Sequence, residues 1–144
     1  MLMTKTNTKI GSASEKSVSS LYRERGYWVY NCPKSLTGAQ PVDLIAIKKK
    51  ENYIVWFADS KHLESSKASF TFDRIEPNQI ASLTYLNNFA GVDIDTLGFV
   101  IDYDRTETYY WLPFEKYLEM NREGAKSVKM EELEEFEKEL DKYE

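Results

Sequence analysis

Two β-rich runs, Asp43 to Lys48 and Tyr53 to Lys61, are joined by the polar segment Lys49-Lys50-Glu51-Asn52, and no other feature of the chain restricts its folding as tightly. A hairpin turn centred on Glu51 sets the register: Ile47 faces Val55, Ile45 faces Phe57, and Asp43 faces Asp59. Side chains alternate along a strand, so Asp43 shares a face with Ile45 and Ile47, while Asp59 and Lys61 share it with Val55 and Phe57. Three ionisable groups are expected at the end of one apolar face. Like charges directly opposite on paired strands cost roughly 0.2–1 kcal/mol, which a divalent cation would relieve. Carboxylates are hard oxygen ligands suited to Mg²⁺ or Mn²⁺, and an ion held there can acidify a water and stabilise charge developing on a phosphodiester. Lys61 would aim at the same water or at a phosphate oxygen.

The surrounding pattern is that of one domain, since 144 residues are too few for two ordinary cores. Residues 1–11 read as a flexible basic arm, whose Lys9 either lies on phosphates or is simply solvated. Ser12 and Glu15 match an S-x-x-E capping box, Val18, Leu21 and Tyr22 recur at helical spacing, and Gly26 is a stop, which predicts a helix over 13–25. Glu15 sits at the edge of that helix's core-facing side, where capping and reaching the metal are both open to it. A short strand follows at Tyr27–Tyr30, then a loop whose Lys34 either reaches DNA or stays in a solvated turn. Residues 62–76 read as a polar connection, Pro77 to Ala90 as a helix, Leu97–Asp102 and Thr108–Leu112 as an antiparallel pair, and Pro113–Arg122 as a short helix. His62 directly follows Lys61 and should face the other side of its strand. Met130, Leu133, Phe136, Leu140 and Tyr143 recur every three or four residues, so 123–144 is expected to be an acidic amphipathic helix beyond a 12–122 domain. The order of elements predicts an α/β fold with a mixed central β-sheet flanked by helices.

Several classes drop out. The single cysteine, Cys32, makes neither a disulfide nor a zinc site. No apolar run reaches the roughly eighteen residues of a membrane span, and the start lacks a signal peptide's apolar stretch, so a cytoplasmic protein without membrane association is expected. Neither GxGxxG nor GxxxxGK[ST] occurs, which removes the main support for a nucleotide cofactor. The net charge of −5 is uneven: residues 130–144 hold eight acidic residues against two lysines, leaving 17 basic against 16 acidic before them. The nearly neutral body permits DNA binding without requiring it.

Pro41-Val42-Asp43 followed after a hairpin by Asp59-Ser60-Lys61 resembles the PD-(D/E)xK nuclease signature, whose fold is restriction-endonuclease-like. Gly11-x-x-x-Glu15 upstream and Phe70-x-Phe72-x-Arg74-Ile75-x-Pro77-x-Gln79 downstream are similar to the RecU-type Holliday junction resolvases. The likeness continues through Gly98-Phe99-Val100-Ile101 and Tyr109-Tyr110-Trp111-Leu112-Pro113. It implies Glu15, Asp43 and Asp59 as acidic metal-site residues, Lys61 as the catalytic lysine, Gln79 as an auxiliary catalytic residue, and Arg74 as a phosphate contact. It further implies a Mg²⁺- or Mn²⁺-dependent endonuclease on four-way DNA junctions, acting as a homodimer because such a substrate needs two matched cuts. The chain departs from the pattern in having Asp59 where Glu is commoner, and in being shorter than RecU proteins. A restriction- or repair-type endonuclease on duplex DNA, and a non-cleaving DNA- or protein-binding module of the same fold, are the alternatives.

Overall fold

A computed structural model describes residues 7–33 and 40–144, with side chains from Ser14 onward. Six strands form the main sheet in the order β1 (Trp28–Asn31), β2 (Leu44–Lys49), β3 (Tyr53–Leu63), β5 (Leu97–Tyr103), β6 (Thr108–Pro113) and β8 (Glu134–Glu135). All neighbours are antiparallel except β3 and β5, which run parallel. The α/β architecture with a mixed, helix-flanked sheet is the one expected. The hairpin register also matches, with Ile47 opposite Val55 and Ile45 opposite Phe57.

Alternation along β3 divides the core in two. Trp56 and Ala58 point to one face, where Val18 and Tyr22 of α1 (Asn7–Glu24) and Phe136 and Leu140 of α4 (Phe136–Asp141) cover them. There Tyr22, Trp56, Trp111 and Phe136 pack ring against ring, Trp56 and Trp111 edge-on with centroids 5.2 Å apart. Phe57 points the other way, toward Leu83 of α2 (Pro77–Asn88) and Phe114 and Tyr117 of α3 (Phe114–Arg122).

Three expectations are corrected. The first helix begins at Asn7 rather than residue 13, so Ser12 lies inside it and cannot be the non-helical residue that a capping box needs. Gly11 costs a helix interior only about 1 kcal/mol and does not end it. The stop at Gly26 holds: φ is +88°, the Tyr27 amide donates to the Tyr22 carbonyl and the Gly26 amide to Arg23, the bonding of a Schellman turn.

The connection over 62–76 is not structureless, because β3 runs on to Leu63 and β4 (Ser69–Thr71) pairs with β7 (Ser127–Lys129), burying Phe70 beside Val128. Nor is 123–144 one helix. It forms β7, a 3-10 turn at Met130–Glu132, β8 and the short α4, and its apolar residues enter the core from successive elements. The core therefore extends past residue 122, and 12–122 is not a unit closed on itself.

Candidate active site

Asp59 and Lys61 lie two residues apart on β3, and Asp43 immediately precedes β2. The amide of Cys32 donates to the Asp43 carbonyl at 2.8 Å, and the Asp43 carboxylate accepts the Ser60 amide at 2.7 Å. Asp59 is 1% exposed. Its Oδ2 accepts from Lys61 Nζ at 2.9 Å and from Gln79 Nε2 at 2.7 Å. Gln79 stands in the first turn of α2, where Oε1 accepts the Glu76 amide at 3.1 Å, as in a capping box, and Lys61 Nζ at 3.2 Å. One side-chain amide thus ties a helix start to both Asp59 and Lys61.

The other oxygen, Asp59 Oδ1, is buried with no hydrogen-bond partner. Burial pushes the Asp59 carboxyl up to about 7, Asp43 beside it pushes the same way, and Lys61 opposes both. Asp43 is also raised, first by burial, with Glu15 contributing charge and contact against the pull of Asp59 and the Ser60 amide. Burial raises the Cys32 thiol, and Asp43 and Glu15 add to it. Three carboxyl groups thus crowd a site whose paired cation is Lys61. A partnerless buried carboxylate oxygen among further carboxylates is a donor set that suits a hard divalent ion.

Glu15 and Gln79 therefore join Asp43, Asp59 and Lys61. Freed from the cap, Glu15 is half-buried on α1 and acts on Asp43. Arg74 is exposed, with its guanidinium over the Phe70 ring at 5.2 Å, and pairs with none of the site residues among those described. Lys34 and the side chain of Lys9 lie outside the described residues. His62 meets Asp102 and Asp104 on the opposite face of β3. The Ser60 amide and Glu76 escaped notice in the sequence. Glu76-x-x-Gln79 ahead of a helix was a visible cap signal, whereas a backbone amide leaves none. A cavity of about 490 Å³ lined by Trp111, Lys116 and Tyr143 shares no residue with this group.

Solved structures share the fold. The chain superposes on Hjc, a Holliday junction resolvase from Archaeoglobus fulgidus, with a TM-score of 0.61 and 11% identity over 90% of this chain and 98% of that one. It superposes on D212, a nuclease from a fusselovirus, with a TM-score of 0.53 and 12% identity over 97% and 93% of the two chains. No family model and no curated protein sequence matches it. The similarity thus lies in the backbone, with no sequence match to RecU proteins in particular.

Proposed function

We propose that this protein is a metal-dependent DNA endonuclease acting on branched DNA, with four-way junctions as its substrate. The observation that carries the proposal is the partnerless, buried oxygen of Asp59 set among Asp43, Glu15 and Lys61. The fold supports it, being shared with a resolvase and a viral nuclease. Asp43, Asp59 and Glu15 would hold Mg²⁺ or Mn²⁺, and the bound ion would supply an acidified water and charge stabilisation at the scissile phosphate. Lys61 places its ammonium beside Asp59, where it can neutralise a phosphate oxygen. Gln79 keeps both in position through its two hydrogen bonds. Arg74, exposed ahead of α2, and Lys9 and Lys34 would add phosphate contacts.

A homodimer accounts best for two matched cuts. The late aromatic strand is a poor interface, since Trp111 is buried, and Phe136 of the tail is buried with it. The edge strand β1 is a better one. Trp28 and Tyr30 are 60% and 46% exposed, stack on each other, and pair with Ile47 and Ile45 on the face that carries the candidate site. Exposed aromatic patches of this kind mark protein contacts.

The test is incubation with Mg²⁺ or Mn²⁺ on labelled four-way, forked and linear duplex DNA, alongside Asp43→Asn. Selective cutting of the four-way substrate is expected, and loss of it by about 10²- to 10³-fold in the variant, as when a group central to transition-state stabilisation is removed. Equal cutting of every duplex would point instead to a restriction- or repair-type enzyme. Binding without cutting under either metal would make it a non-cleaving module.

A further inference from the structure

The face of β3 turned away from Asp59 carries a second cluster of side chains of metal-ligating type. His62 on β3 is the parallel-sheet partner of Asp102 on β5, and Asp104 follows at the strand's end, its amide donating to the Leu63 carbonyl at 3.0 Å. The backbones of all three are therefore fixed by the sheet. Nδ1 of the imidazole is 3.4 Å from Asp102 Oδ2, and Nε2 is 3.1 Å from Asp104 Oδ2. Asp102 Oδ2 also accepts the buried Ser14 hydroxyl of α1 at 2.9 Å.

We propose that His62, Asp102 and Asp104 bind a transition-metal dication, best matched by Zn²⁺, at a site separate from Asp43 and Asp59. A neutral imidazole has one N–H and one bare nitrogen. In the neutral ring, with a carboxylate against each nitrogen, one acceptor faces another. Among the described residues no Lys or Arg pairs with Asp102 or Asp104, and the nearby Arg105 is turned to the Ser65 carbonyl. A cation that takes the bare nitrogen and both carboxylates removes the conflict.

The donor atoms of the three side chains lie within 4.8 Å of one another. Around a tetrahedral zinc ion with bonds of ~2.1 Å, neighbouring donors are ~3.4 Å apart. Closure therefore needs the widest pair to draw together by up to ~1.4 Å, a movement open to the half-exposed Asp104 side chain. Imidazole with carboxylates suits zinc, while the all-oxygen set around Asp59 suits magnesium or manganese. The Ser14 hydroxyl orients a ligand from behind, in the manner of groups flanking structural metals. Since Ser14 precedes Glu15, the ion would brace the turn of α1 that carries Glu15.

The sequence has a single histidine, so its ring protons can be followed by NMR without assignment. Zn²⁺ is added at about pH 7.5, where an ordinary histidine is mostly neutral, to the Asp43→Asn/Asp59→Asn protein and to the unaltered chain. The expected result is a shift of the ring signals in both, saturating near one equivalent, with none under equal Mg²⁺. The shift should vanish in Asp102→Asn/Asp104→Asn. Ring signals unmoved by Zn²⁺, or a shift that survives the Asp102/Asp104 substitutions, would overturn the proposal. The nuclease assay is untouched by either result.

Discussion

Gln79 donates to Asp59 through one end of its amide and accepts from Lys61 and the Glu76 backbone through the other. Removing it in Gln79→Ala leaves Asp59 short of a donor and Lys61 held by Asp59 alone. Cleavage should fall about 10- to 100-fold in kcat at similar DNA affinity, the pattern for a lost supporting contact beside a metal. A stability loss of about 1–3 kcal/mol in urea melts should accompany it. Asp59 makes a second prediction. Its folded-state pKa of about 7 lies above the ordinary 3.8, so the metal-free fold binds a proton that the unfolded chain releases. The favourable contribution is full below pH 3.8 and is lost as pH rises through about 7. Asp59→Asn should therefore raise the Tm of metal-free protein more at alkaline than at acidic pH, and Mg²⁺ should shrink the difference. A difference independent of pH would refute this assignment of the proton.

At the scale of elements, the close fit of β5 to β6 is tested by Gly98. A methyl group there would come within 2.4 Å of the Leu112 carbonyl oxygen and 2.9 Å of the Trp111 ring. Backbone cannot yield that distance cheaply, so Gly98→Ala should cost about 2–3 kcal/mol, read as a lower denaturant midpoint. The hairpin was legible in the sequence because its pattern is local: alternation on two strands and a four-residue turn determine each other. The pairing of β4 with β7 was not, since Ser69 meets Lys129 across more than fifty residues and three-residue strands show no period. Ser12-x-x-Glu15 misled for the opposite reason, as a local cap signal inside a helix that continues upstream. The juxtaposition of Asp43, Asp59 and Lys61 followed from strand arithmetic, whereas Gln79 came only from the resemblance to the resolvases. The contact of Glu15 with Asp43 depends on how α1 packs, which no local rule specifies.

At the scale of the whole molecule, the tail completes the core that supports the candidate site. Phe136 is fully buried against Tyr22, Trp56 and Trp111, and Arg25, in the turn just past the first helix, pairs with Asp141 and Glu144. Phe136→Ala should cost about 3–5 kcal/mol, with tryptophan fluorescence reporting the opened core. Trp28→Glu, by contrast, should leave the Tm nearly unchanged while shifting the sedimentation coefficient from dimer to monomer. A variant that sediments as wild type would refute β1 as the contact of the proposed dimer. The packing of the last helix also bears on synthesis. Asp43, Asp59 and Lys61 are translated before Phe136 and Leu140, so the sheet beneath them stays open on one side until those two residues have left the ribosome. A nascent chain would therefore carry the candidate site on an unfinished scaffold until α4 docks.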